Sequence, residues 1–172
     1  MQRFTERLVM RPPRVEDLDM MFAVYGDLAT HQFNPAGPLT DKHQAAALIG
    51  IWMRHWQKHG YGWWAVASRD APEQLIGFGG IALRYFGDVV RVNLGYRFGV
   101  PAWGKGYATE LGKATLACAF DELKLPEVHA LVRPDHGASI KVLEKIGMHA
   151  IGVLEDVPGQ PPSRVYLASR CV

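Results

Sequence analysis

Apolar positions along the chain change period twice. Leu18, Met21, Phe22 and Tyr25 recur at spacings of three and four, which places them on one helical face. Asn34 to Pro38 (NPAGP) is turn-rich and interrupts any helix. Thr40 or Asp41 then offers a cap for a second helix. Its stripe is Ala45, Leu48, Ile49, Trp52, Met53 and Trp56, and Gly60 ends it. The middle of the chain is different. GWWAVASR (62–69), LIGFGGIALRY (75–85) and VVRVNLGYRF (89–98) are rich in β-branched and aromatic residues, with turn residues between them. From about Gly106 to Leu123 the helical spacing returns, with Tyr107, Leu111, Ala114 and Cys118 on one face. EVHALVRP (127–134) reads as a strand, and residues from about Gly137 to Ile146 as a helix stopped by Gly147. HAIGVLE and RVYLAS supply two last strands, and RLVMR (7–11) an opening one.

Short links between consecutive strands imply antiparallel hairpins, whereas the strand–helix–strand passage around 89–134 requires a parallel pair. The predicted fold is therefore α/β (α+β): a mixed, mostly antiparallel sheet of about seven strands flanked by about four helices. No repeat or linker divides the 172 residues, so a single domain over 1–172 is expected.

Composition narrows the function classes. Hydrophobic residues are 48% and charged residues 21%, which excludes a disordered or coiled-coil chain. No apolar run reaches the roughly 20 residues of a membrane span. MQRFTERLVMRPPR lacks an apolar signal core, so a cytoplasmic location is expected. Net charge is +2, with no basic stripe for nucleic acid. Cys118 and Cys171 make neither a disulfide framework nor a zinc pattern. His55 and His59 lie four apart on a helix without a third ligand or an H-E-x-x-H sequence, so no metal is expected.

The chemistry concentrates in FGVPAWGKGYATE (98–110), between a strand and a helix. Gly99, Gly104 and Gly106 let the backbone approach a ligand. The helix start beyond them presents unpaired N–H groups and the positive end of the helix dipole. Lys105 adds a full charge. This is a seat for phosphate. Gly99 to Gly106 reads G-x-x-x-x-G-K-G, without the Ser/Thr that binds Mg²⁺ in a nucleotide P-loop. A dinucleotide fingerprint would need glycine at Thr109.

The run WGKGYATE (103–110), with Pro134, Ser139 and LEKIG (143–147) downstream, resembles the GNAT N-acetyltransferase superfamily, and within it the ribosomal-protein N-terminal acetyltransferase branch. The family's cofactor signature is Q/R-x-x-G-x-G/A. Gly106 and Ala108 match it, and Trp103 stands where Gln or Arg is usual. The resemblance implies transfer of acetyl from acetyl-CoA directly to a primary amine, a protein N-terminus or a small molecule. It implies that amides across Trp103, Gly104, Lys105, Gly106, Tyr107, Ala108 and Thr109 hold the pyrophosphate. Tyr96, Arg97 and Phe98 would pair with the pantetheine arm, at a splay between this strand and the one at 127–134. A backbone N–H there would stabilise the tetrahedral oxyanion. Dimers are common in the family.

Ser139 matches the serine thought to serve the departing sulfur; otherwise it is a hydroxyl tied to a helix start. The family's Asn in P-x-N-x-x-S is here His136, which can contact the cofactor, exchange a proton near neutral pH, or simply lie on the surface. Where the family often has a Glu base, this chain has Val92 and Asn93. Asp88, Glu110 and Glu155 are fallback bases, and none is assigned. Trp52, Trp56, Trp63 and Trp64 are read as core, and PGQPPS (158–163) as a turn. Two alternatives follow: a CoA-binding regulatory module without turnover, motivated by Asn93 and His136, and a P-loop nucleotide-binding protein.

Overall fold

The computed structural model describes residues 1–171. In chain order the elements are β1 (Arg3–Phe4), β2 (Leu8–Arg11), α1 (Leu18–Tyr25), α2 (Lys42–His59), β3 (Trp63–Ser68), β4 (Ala71–Phe86) and β5 (Val89–Phe98). Then follow α3 (Tyr107–Ala117), β6 (Glu127–Val132), α4 (Gly137–Lys145), β7 (His149–Leu154) and β8 (Ser163–Ser169). Among the described residues these eight strands form one sheet in the order β1-β2-β3-β4-β5-β6-β8-β7, with four α-helices. The mixed α/β architecture is the one expected. None of the helices is long and apolar enough to cross a membrane.

The chain divides into two compact units, Met1–Gly80 with Tyr96–Tyr107, and Ile81–Gly95 with Ala108–Val172. In the first, β2 runs antiparallel to β3, with Leu8 opposite Ser68 and Arg11 opposite Ala65. Asp41, not Thr40, caps α2 by accepting from the Gln44 amide at 2.9 Å. Of the helical faces seen in the sequence, Met53 is exposed, whereas Met21 and Tyr25 of α1 and Ala45, Ile49 and Trp52 of α2 are buried, joined by Val24. These pack on Val9, Ala65, Ala67, Leu75 and Phe78 from the strands. Trp52 also stacks on Trp63, ring centres 5.0 Å apart. The tryptophans thus serve the core, and Trp56 Nε1 donates to the Trp63 carbonyl at 2.7 Å.

In the second unit β6 pairs antiparallel with β8, from Glu127 opposite Ser169 to Val132 opposite Arg164. β7 lies on the far side of β8. β5 meets β6 in parallel, Asn93 opposite His129. Leu111, Leu116, Leu143, Val128, Ala130, Val165 and Tyr166 are buried.

Three boundaries differ from expectation. β1 is an eighth strand of two residues, too short for a period but paired with β2 through Arg3 opposite Met10. β4 begins at Ala71, four residues before the β-rich run at Leu75, because Ser68 pairs with Ala71 across a tight hairpin. The helix expected to run to Leu123 stops at Ala117 and widens into a π turn over Cys118–Glu122. There the Leu123 amide bonds to the Cys118 carbonyl at 3.0 Å, a five-residue step that side-chain spacing does not announce.

Candidate functional site: the loop into α3

β5 ends at Phe98, and the chain turns at once. The Gly99 amide donates to the Ile76 carbonyl at 2.9 Å, Ala102 to Gly99 at 3.0 Å and Trp103 to Val100 at 3.0 Å. This short 3-10 turn carries Pro101 near its start, where proline's missing N–H costs nothing. Beyond it Gly104 and Gly106 have φ of 73° and 79°, left-handed backbone that glycine adopts without strain. The amides of Gly104, Lys105 and Gly106 make no backbone hydrogen bond among the described residues, and all three residues are exposed. α3 opens at Tyr107, so its first-turn amides follow directly. A run of outward N–H groups leading into a helix start can hold a phosphate.

Trp103 lies outside that run. Its amide is used in the 3-10 turn, and its indole Nε1 folds back onto the Phe98 carbonyl at 2.9 Å. The loop amides without a backbone partner therefore begin at Gly104, and Tyr107, Ala108 and Thr109 are half-buried on α3.

The strand end is fixed by its side chains. Arg97 Nη1 donates to the Thr30 carbonyl, and its guanidinium lies over the Tyr25 ring, 5.0 Å from the centroid. Burial raises the Tyr25 phenol well above its ordinary range, with Arg97 partly offsetting the shift. Arg97 thus ties β5 to the segment after α1, and only its backbone is left for a ligand. The Phe98 ring is buried, tilted against Tyr96 at 6.2 Å and Tyr107 at 6.4 Å.

Behind the loop is a cavity of about 730 Å³, with Lys105 and Tyr107 in one wall and Arg11, Glu16, Asp17 and Glu73 in the others. Asp17 is paired to Arg11 through bonds of 2.8 and 2.7 Å. Glu16 and Glu73 then outweigh Lys105, so the cavity interior disfavours phosphate.

In the second unit His136 and Ser139 meet at the start of α4. His136 Nδ1 accepts a long bond from the Ser139 amide at 3.4 Å and so caps the helix. In that arrangement the ring proton belongs on Nε2. Both side chains are half-buried. Asn93 is buried, and neither its Oδ1 nor the Nδ1 of His129 opposite has a hydrogen-bond partner among the described residues. Asp156 accepts from Ser163 Oγ at 3.0 Å and faces Arg133 Nη1 at 3.5 Å. It anchors the turn that holds PGQPPS.

A family model described as an acetyltransferase (GNAT) domain matches residues 7–149. The chain belongs to the GNAT acetyltransferase family. It is an acetyl-CoA-dependent acyltransferase. Among curated relatives, the uncharacterized protein YkkB of Bacillus subtilis is 33% identical over 111 residues, 64% of this chain and 64% of YkkB. The uncharacterized N-acetyltransferase p20 of Bacillus licheniformis is 28% identical over 89% of this chain and 85% of its own. The fold matches that of a GNAT-family acetyltransferase from Bacillus anthracis, with TM-score 0.80, 24% identity and 98% of each chain covered. It also matches a spermidine N-acetyltransferase from Vibrio cholerae, solved with CoA and spermine, with TM-score 0.75, 16% identity, and 96% of this chain and 97% of that one covered.

Sequence reasoning on this GNAT domain missed His129 and Asp156. Their neighbours come from other segments: Asn93 stands opposite His129 across the sheet, and Arg133 and Ser163 flank Asp156. Burial lowers the pKa of His129, partly offset by Glu127, and of His31 and His55, each offset by a backbone bond. These rings stay neutral in the folded acetyltransferase while the unfolded chain takes up protons near pH 6.5. Below that pH the unfolded state binds more protons, so stability falls as pH drops. We expect a Tm that is level above pH 7 and declines steadily from pH 6.5 to 5, with a shallower slope in His129→Gln. A Tm unchanged across that range would contradict the burial of these rings.

Proposed function

We propose that this acetyltransferase moves acetyl from acetyl-CoA directly to a primary amine, in the cytoplasm, with residues 1–172 acting as one N-acetyltransferase domain. The observation that carries the reading is the run of exposed residues Gly104, Lys105 and Gly106, whose amides make no backbone hydrogen bond among the described residues, leading into α3, in a chain whose family model spans that segment. Those amides, with Tyr107, Ala108 and Thr109, hold the pyrophosphate. The backbone of Tyr96, Arg97 and Phe98 pairs with the pantetheine arm.

In the reaction the neutral amine nitrogen attacks the thioester carbon. A C–N bond forms, the C–S bond breaks, and the amine gives up one proton while the sulfur gains one. Ser139 donates to the sulfur, and His136 orients it by capping the same helix turn. No acyl-enzyme is involved: Cys118 is buried, a poor setting for a nucleophile. The acceptor is the N-terminus of a protein, as the ribosomal-protein branch acetylates, or a small amine of the kind named for the Vibrio spermidine enzyme.

The test is titration calorimetry with acetyl-CoA, with ATP–Mg²⁺ as control, followed by turnover on N-terminal peptides and on polyamines. Micromolar binding of acetyl-CoA alone is expected. Ser139→Ala should lower kcat about 10-fold with KM little changed, as for loss of one proton donor. A folded protein that ignores acetyl-CoA overturns the reading, and ATP binding would favour a nucleotide hydrolase. Asn93, standing where a carboxylate base is usual, motivates a second reading as a CoA-binding regulatory module. Tight CoA binding with no acetylation of any amine would favour it.

A further inference from the structure

The pyrophosphate loop needs something to hold it, because the amides of Gly104, Lys105 and Gly106 make no backbone hydrogen bond among the described residues. Gly104 and Gly106 are both left-handed and exposed, and glycine gives a loop the greatest freedom to depart from any one shape. One side chain from a distant part of the sequence reaches it. Arg7 Nη1 donates to the Lys105 carbonyl at 2.7 Å, across 98 positions of chain. The same guanidinium lies over the Tyr107 ring, 4.8 Å from its centroid. A Cβ built on Gly106 would stand 3.4 Å from Arg7 Nη2, so the group also covers the residue between its two contacts.

The base from which Arg7 reaches is firm. The Thr5 and Leu8 backbones bond at 3.0 Å, the Leu8 amide also donates to Thr5 Oγ1 at 3.0 Å, and the Arg69 amide donates to the Arg7 carbonyl at 2.8 Å. Arg69 Nη1 fastens the Thr5 carbonyl at 3.0 Å.

We propose that Arg7 is the positioning residue of the pyrophosphate loop. By gripping the Lys105 carbonyl on one side and the Tyr107 ring on the other, it turns the peptide planes between them so that their N–H groups face away from the protein. A carbonyl held inward by a donor sets the N–H of the next residue outward, because each peptide unit is planar and trans. The planar fork suits this double duty, and a lysine ammonium does not. The inference rests on the acetyl-CoA reading for what the loop binds, and on the two Arg7 contacts for how the loop is held.

The experiment compares the full-length protein with Arg7→Ala and Arg7→Lys, using acetyl-CoA and S-acetylpantetheine, which lacks the pyrophosphate. Arg7→Ala should raise KM for acetyl-CoA about 10-fold, equivalent to about 1.4 kcal/mol, with kcat and the KM for S-acetylpantetheine held within about 2-fold. Arg7→Lys should fall between. In ¹⁵N relaxation of the ligand-free proteins, order parameters at Gly104, Lys105 and Gly106 should drop towards the flexible range, below about 0.6, in Arg7→Ala. An unchanged KM and unchanged order parameters would overturn the role, as would equal losses with both acyl donors. A wild-type protein that binds no acetyl-CoA would instead overturn the cofactor reading, and the relaxation data would still decide whether Arg7 orders the loop. Should Arg7→Ala fail to fold, Arg7→Lys and Tyr107→Leu read the same two contacts separately.

Discussion

Gly106→Val should weaken acetyl-CoA binding about 100-fold, some 2.7 kcal/mol, while leaving the circular dichroism of the protein unchanged. Two effects act together. Gly106 has φ of 79°, where a β-branched residue meets its own backbone at a cost of roughly 1–2 kcal/mol. To escape, the peptide units on either side must rotate, and they carry the amides assigned to the pyrophosphate. A side chain there also presses on Arg7 Nη2, already 3.4 Å from the first carbon. Gly106→Ala meets the same backbone strain with less bulk and should fall between, near 10-fold by the same scale. Calorimetric titration of both variants decides the matter. Wild-type affinity in Gly106→Val would mean that the pyrophosphate lies elsewhere.

Gly77→Ala should lower stability by about 3 kcal/mol. The added carbon would stand 2.6 Å from Phe98 Cδ1, 2.7 Å from the Arg97 carbonyl oxygen and 2.9 Å from Phe98 Cα. A rotamer change relieves only the first. The other two belong to backbone, so β4 and the end of β5 must separate, and Arg97 and Phe98 are the residues assigned to the pantetheine arm. Thermal unfolding should show a Tm lower by about 6–12 °C, the range such a loss gives in a chain of this length. Gly99→Ala is the control: its carbon would meet nothing closer than Val24 Cγ2 at 3.6 Å, and its φ of −64° is ordinary. Equal stability of the two variants would show that the strands are not in such close contact at Gly77.

The loop stood out as a candidate because its chemistry is local. Glycines, a lysine and a helix start within nine residues announce an anion seat wherever the rest of the chain goes. The same holds for α1 and α2, whose spacings of three and four matched the faces buried against Phe78 and Ala65. Legibility failed where a group's meaning depends on a partner far along the chain. The 3-10 turn uses the Trp103 N–H and the Phe98 carbonyl captures its indole, contacts that the residue types alone do not announce. The Arg97 side chain is held by Thr30 and Tyr25, which no local pattern announces.

The sequence by itself determined the order of the longer elements, the mixed sheet and the family. Periodicity, glycine placement and short motifs act over a few residues and survive without knowledge of neighbours. Tertiary structure alone decided that β4 starts at Ala71, that α3 widens at Cys118, that His129 Nδ1 lacks a hydrogen-bond partner among the described residues, and that Arg7 reaches Lys105. Each of these depends on hydrogen bonds, or on missing ones, between groups that come together only once the chain has folded.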